Sequence, residues 1–260
     1  MCTVTFIPRE EGFYVAMNRD ERNARPRAIS PAVFEQGSAK SIYPLDSEGG
    51  TWIAANDRGI ALTLLNWNDA PLLCKKRRTR GLVIPGLVTS DCSRAADAAL
   101  LRLDLEGILP FRLVGIFPSE ERVIEWLWDQ RSVKRNTFTW TIRQWCSSSL
   151  SDAAANSFRK RALEDRLTER DAGSLPWLRR LHSSHDHDHP LFSHCVHRKD
   201  VETVSYTELV CSAETIECNY LAGGPCNAEV NRTAFRSGVI RLRLKCNQWK
   251  LRDQASPIFG

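Results

Sequence analysis

The chain has 260 residues, 42% of them hydrophobic and 26% charged, and a formal net charge of +5. That is the balance of a globular protein long enough to bury a substantial core. No apolar run reaches the roughly 18 residues of a membrane span, and no basic stretch followed by a long apolar one marks a secretory signal near Met1. The densest basic run, Lys75-Lys76-Arg77-Arg78-Thr79-Arg80, has no interleaved aromatics. It reads as a solvated loop rather than a nucleic-acid surface.

In chain order, Thr3 to Ile7 and Phe13 to Met17 read as strands, the second alternating Phe13, Val15 and Met17 against Tyr14 and Ala16. Gly50 to Ala55 and Ile60 to Leu65 form another pair around the turn residues Asn56-Asp57-Arg58-Gly59. A helix is expected over about Thr89 to Leu103, with cap candidates Thr89, Ser90 and Asp91. Phe111 to Phe117, Val123 to Trp128 and Phe138 to Trp145 read as strands. A second helix is expected from Asp152 to Glu169 on the spacing of Ala155, Phe158 and Ala162. Leu191 to His197, Thr203 to Val210 and Thr215 to Leu221 read as closing strands. This segregation of strands and helices predicts sheets packed against helices, an α+β class.

The nine cysteines are irregularly spaced and include no C-x-x-C pair. Without an export signal they are expected to be reduced thiols of a cytoplasmic protein. A metal set of Cys211, Cys218 and Cys226 has poor spacing. All six histidines, His182, His185, His187, His189, His194 and His197, fall in one stretch with Asp186 and Asp188 between them. Such a set suits zinc or another divalent ion. Alternating residues of an extended loop converge on one ion only if the loop folds around it, so an exposed loop is the simpler reading. No metal and no cofactor are assigned.

The turn Pro8-Arg9-Glu10-Glu11-Gly12 joins the first two strands. Centred on Glu10, it sets Cys2 opposite Asn18 and brings Asp20 within diagonal reach on the same face; a one-residue slip reverses this. Initiator Met is normally removed before a small residue such as Cys. Cys2 then carries both a thiol and an α-amine of pKa roughly 7.7 to 8.0, a nucleophile and a base on one residue. Asp20 is placed to orient the ammonium.

Together, Met1-Cys2-Thr3, Asn18-Arg19-Asp20-Glu21, Gly49-Gly50-Thr51-Trp52-Ile53, Leu65-Asn66 and Arg80-Gly81 resemble the NRDE family, the homologues of transport and Golgi organisation protein 2. Phe192-Ser193-His194-Cys195-Val196-His197-Arg198 and Thr203-Val204-Ser205 extend the likeness. The start is also similar to the cysteine N-terminal-nucleophile hydrolases, among them choloylglycine hydrolases and penicillin V acylases.

The resemblance implies one domain over residues 1–260, a four-layer αββα sandwich of two mainly antiparallel sheets flanked by helices. It implies catalytic roles for Cys2, Asn18, Asp20 and Asn66, the last contributing to an oxyanion hole. The hydrolases' Arg-Asn-x-Asp element is matched at Asn18 and Asp20, but Met17 stands in place of its arginine. Arg19, Trp67 and Ser148 are the candidate substrate contacts, Ser148 or Ser149 standing where the hydrolases carry a second asparagine. Two functions are implied. One is a hydrolase or acyltransferase acting through Cys2 on a non-peptide amide or an acyl thioester. The other is a carrier or trafficking protein for haem, acyl-CoA or lipid on the same fold, the reading that the loss of the arginine favours.

Overall fold

The structure, a computed structural model, describes residues 2–73, 77–227 and 239–245. Met1, Cys74, Lys75, Lys76 and Cys246 lie outside the described residues. Thirteen strands and four α-helices are described in this range.

One sheet is built from β1 (Cys2–Arg9), β2 (Gly12–Arg22), β10 (Arg143–Ser147), β11 (Val201–Cys211), β12 (Thr215–Ala222) and β13 (Ile240–Arg243). Its spatial order is β10-β1-β2-β11-β12-β13. The other contains β3 (Ile29–Gln36), β4 (Ala39–Leu45), β5 (Ile53–Asn56), β6 (Ala61–Asn66), β7 (Phe111–Phe117), β8 (Arg122–Trp128) and β9 (Val133–Phe138), side by side in chain order. Every ladder between these strands is antiparallel.

Strand alternation sorts the side chains into layers. Cys2, Val4, Phe6, Phe13, Val15 and Met17 meet Trp52, Ile53, Leu65 and Val114 in an apolar core between the sheets. The outer face of the second sheet packs Leu62, Leu64 and Leu113 against α1 (Val83–Leu87) and α2 (Ser93–Arg102). The outer face of the first packs Ile7, Tyr14 and Ala16 against Leu163 of α3 (Asp152–Arg166) and Trp177, Leu178 and Leu181 of α4 (Leu175–His182). Helix, sheet, sheet, helix is the four-layer sandwich expected. Among the described residues no helix is long and apolar enough to cross a membrane.

The first hairpin corrects the expected register by one residue. Arg9 pairs with Gly12, so the turn holds two residues, and Cys2 pairs with Arg19 while Thr3 pairs with Asn18. The turn centre falls between Glu10 and Glu11 rather than on Glu10, and that half-residue shift exchanges the faces of β2. Arg19 shares the face of Cys2, while Asn18 and Asp20, both expected on that face, turn toward the other one, where the Asp20 carboxylate meets Thr203 and Arg159.

Further differences have local causes. Leu191 to His197 is not a strand: Pro190–Phe192 forms a single 3-10 turn. The chain beyond is held by separate bonds, Val196 donating to Thr203 Oγ1 at 2.8 Å and Cys195 to the Ser184 carbonyl at 3.1 Å. Helix α3 ends at Arg166, and its buried stripe is Asp152, Ala155, Arg159 and Leu163 rather than one through Phe158. Helix α2 begins only at Ser93, capped by Cys92, whose sulfur accepts from Ala95 N–H at 3.4 Å. The stretch from Phe138 to Trp145 breaks between β9 and β10.

Candidate functional site

Cys2 opens β1 between β10 and β2, paired with Ser147 on one side and Arg19 on the other. Its side chain reaches a cavity of about 310 Å³ at the edge of the inter-sheet core. Arg19, Asp20 and Glu21 of β2 line the same cavity, with Trp52 from just before β5, Leu64 and Asn66 from β6, and Thr79, Arg80 and Gly81 from the segment before α1. The cavity therefore gathers four of the residues singled out in the sequence: Cys2, Arg19, Asp20 and Asn66. Asn18, Trp67 and Ser148 do not line it.

The Cys2 thiol is buried, and burial pushes its pKa up. The N-terminal ammonium opposes this, as do Arg19 and the Asp20 backbone N–H, while the Asp20 carboxylate adds to it. The thiol is thus held neutral near pH 7, and an attack by sulfur requires a base to take its proton.

Two arginines frame the sulfur. Arg19 lies over the Trp52 ring at 4.5 Å, a cation–π contact that fixes the guanidinium against the opposite sheet. It also meets Glu21 at 3.4 Å. Arg80 donates from Nε to the Pro110 carbonyl at 2.8 Å. Burial pulls its pKa down to about 10, and the Cys2 sulfur is the largest influence in the other direction. A partly desolvated cation beside a thiol is matched to an anionic group or to negative charge that develops during reaction.

The rim explains two sequence motifs. Gly50 and Gly81 touch backbone to backbone: a Cβ on Gly50 would lie 2.7 Å from the Gly81 Cα, and one on Gly81 would lie 2.9 Å from the Gly50 Cα. Thr51 N–H donates to the Gly81 carbonyl at 3.0 Å. Only glycines permit this approach, which carries Trp52 and Arg80 to the same cavity.

Asp20 is fully buried behind the cavity. Its Oδ1 accepts from Thr203 at 2.6 Å, and its Oδ2 faces Arg159 Nη2 at 3.7 Å. Arg159 is itself buried and donates to the Ser193 carbonyl at 2.8 Å and the Cys2 carbonyl at 3.5 Å. It was not picked out from the sequence. The signal was an arginine on the stripe of Ala155 and Leu163, an apolar helix face that tolerates a cation only with a partner beneath it.

Asn18 serves the far side of the sheet. Its Nδ2 donates to the carbonyls of His182 and His194 at 2.9 and 2.7 Å, and its Oδ1 lies 3.1 Å from His182 Nδ1. His182 Nε2 meets Thr5 Oγ1 at 2.9 Å, and Gln144 Nε2 meets His194 Nε2 at 3.0 Å. This network joins β1 and β2 to α4 and to the loop after it. Burial, reinforced by Arg159, drives the His182 pKa down to about 3 and that of His194 well below its ordinary value. Ser148 belongs to the start of α3: its N–H donates to Asp152, and its carbonyl accepts from Asn68 at 3.1 Å. Trp67 donates its backbone N–H to the Pro110 carbonyl at 3.3 Å.

A family model described as Transport and Golgi organisation 2 matches residues 1–203. The chain belongs to the Transport and Golgi organisation 2 family. The match bears out the resemblance drawn from Cys2, Asn18 to Glu21 and Gly49 to Ile53. No curated protein matches the chain. Among solved structures, the chain is similar to penicillin V acylase from Agrobacterium tumefaciens, with 11% identity, 95% of this chain and 93% of that one covered, and a TM-score of 0.48. It is also similar to a mutant conjugated bile acid hydrolase from Clostridium perfringens, with 9% identity, coverage of 94% and 97%, and a TM-score of 0.44. Likeness at this level assigns neither activity nor substrate.

Proposed function

We propose that this member of the Transport and Golgi organisation 2 family is an N-terminal-nucleophile hydrolase or acyltransferase acting on a non-peptide amide or an acyl thioester. The observation that carries the proposal is the position of Cys2: the first residue of a central strand, with its sulfur in a cavity framed by Arg19, Arg80 and Asn66. The mechanism requires removal of Met1. The freed α-amine then takes the thiol proton as sulfur attacks the substrate carbonyl, which is the base that a buried neutral thiol needs. Asn66 and Arg80 stabilise the oxyanion, Asp20 stabilises the ammonium, and Arg19 on Trp52 holds an anionic part of the substrate. The amine returns its proton to the leaving nitrogen or sulfur, and water or an acceptor amine releases the acyl group from Cys2.

A panel of amides and acyl thioesters with a Cys2→Ala control tests this. Turnover in the parent that falls by about 10³-fold or more in Cys2→Ala supports it. Turnover that is unchanged in the variant contradicts it.

A carrier for haem, acyl-CoA or lipid is the second reading, and one observation favours it. Met17, in the place of the hydrolases' arginine, is fully buried in the inter-sheet core and supplies no polar group to the cavity. Saturable binding of one of these ligands without turnover is its expected result; equal affinity for unrelated hydrophobic ligands contradicts it.

A further inference from the structure

A second constellation lies away from the cavity, where the loop after α4 meets the turn after β12. The ligating atoms of His185, Cys195, His197 and Cys226 all lie within 4.8 Å of one another. His197 Nε2 sits between the two sulfurs, 3.5 Å from Cys195 Sγ and 3.1 Å from Cys226 Sγ. The His185 ring centroid is 5.2 Å from that of His197, with the rings inclined at 45° rather than stacked. We propose that these four side chains form a tetrahedral Cys2His2 zinc site that pins this loop to the edge of the first sheet.

The geometry and the donor set support zinc. With Zn–S near 2.3 Å and Zn–N near 2.0 to 2.1 Å, a tetrahedral site has nitrogen–sulfur edges of about 3.5 Å. Of the two His197 contacts, one matches that value at 3.5 Å and the other, at 3.1 Å, falls somewhat short of it. Two thiolates and two neutral imidazoles neutralise a dication, and this soft donor set disfavours magnesium and calcium. A disulfide would explain the approach of Cys195 and Cys226, both of which are free thiols, but it would not explain two imidazoles directed at the same point.

The backbone presents these ligands on separately anchored segments. Cys195 N–H bonds the Ser184 carbonyl, and Thr203 N–H bonds the Val196 carbonyl at 2.9 Å. Gly223 N–H bonds the Val204 carbonyl, and Ser183 Oγ bonds the Pro225 carbonyl at 2.9 Å. Gly224 packs directly on the cluster: a Cβ there would lie 3.0 Å from Cys195 Sγ and 3.4 Å from the His197 ring. Cys195 is buried, while His185 and His197 are exposed, which leaves an entry path for the ion. The same loop supplies the Ser193 and His194 carbonyls that hold Arg159 and Asn18 behind Cys2. The zinc would brace the residues that pack behind Cys2 without taking part in the chemistry of the cavity. The metal set weighed from the sequence, Cys211, Cys218 and Cys226, does not form: Cys211 and Cys218 are buried in the inter-sheet core.

The test uses the full chain, purified with zinc, dialysed and analysed for metal, beside a Cys195→Ser/Cys226→Ser variant. About one zinc per chain is expected in the parent and less than about a tenth of that in the variant. Because the variant can lose zinc by failing to fold, alkylation of the parent is mapped by mass spectrometry with zinc and with chelator. Zinc is expected to slow alkylation of Cys195 and Cys226 by about tenfold or more, with no matching protection of Cys211 or Cys218 beyond their burial. Parent protein that holds no zinc and shows no protection overturns the proposal. So does zinc retained by the double variant, or a Cys195–Cys226 disulfide in the zinc-supplied parent.

Discussion

At the residue scale, the site depends on charges taken out of water. Arg159 is almost fully buried, and Asp20 is the carboxylate facing it. Removing one partner of such a pair leaves an uncompensated buried charge. Asp20→Asn is therefore expected to lower stability by about 3–5 kcal/mol, read by chemical denaturation, even before any effect on turnover. A loss of activity in that variant has to be separated from a loss of fold. His182 gives a second residue-scale prediction. Its folded pKa of about 3 lies below the unfolded value near 6.5, so the unfolded chain binds the proton first. Stability is flat above about pH 6.5 and falls as pH drops toward 3, by up to about 1.4 kcal/mol per pH unit for His182. His194 contributes in the same direction. Urea midpoints between pH 7 and pH 5 check this, and the slope is expected to flatten in His182→Asn.

At the scale of elements, the first hairpin shows how a correct strand pair can carry a wrong face assignment. Apolar alternation located β1 and β2, and the turn residues located their junction, but the two-residue loop Glu10-Glu11 and a three-residue loop centred on Glu10 differ by one step of register. Both strands are buried on both faces, so hydrophobicity does not distinguish the faces. Cys2 and Asp20 could be named because their chemistry follows from residue type and position. Arg159 could not, because its partner is 139 positions away in the sequence and only the packing of α3 on the first sheet joins them. The convergence of His185, Cys195, His197 and Cys226 was hidden for the same reason: a loop and a turn after β12 come together only once β11 and β12 are in place. The glycine pair is the opposite case, since Gly49-Gly50 and Arg80-Gly81 were visible as motifs and the structure supplies the reason. Gly81→Ala is expected to force the two segments apart at a cost of about 1–3 kcal/mol, measured by denaturation, and to weaken whatever chemistry the cavity supports.

At the scale of the whole molecule, two sheets share one apolar core, and the cavity lies where that core reaches the surface. The first sheet brings Cys2 and Arg19, the second brings Asn66, the residue just before β5 brings Trp52, and the segment before α1 brings Arg80. Arg112 ties the sheets together beside this opening, pairing with Glu125 at 2.8 Å and donating to the Cys146 carbonyl at 3.2 Å. The layer order was legible from the strand and helix pattern together with the family resemblance. Strands β3, β4, β9 and β13 and helices α1 and α4 were not read from the sequence, the strand expected over Phe138 to Trp145 touching β9 only at Phe138. Strand β3 is mostly exposed and its residues carry little alternation, and α1 is too short to show a helical period.

We propose Cys2, freed of Met1, as the nucleophile of an acyl-transfer site. The most direct test of this is the mass of the N-terminal peptide after the purified protein has reacted with an acylating thioester probe and been quenched in acid. A peptide that begins at Cys2 and carries one acyl group on that residue is expected. A peptide that retains Met1, or acylation found on another cysteine with Cys2 unmodified, would contradict it.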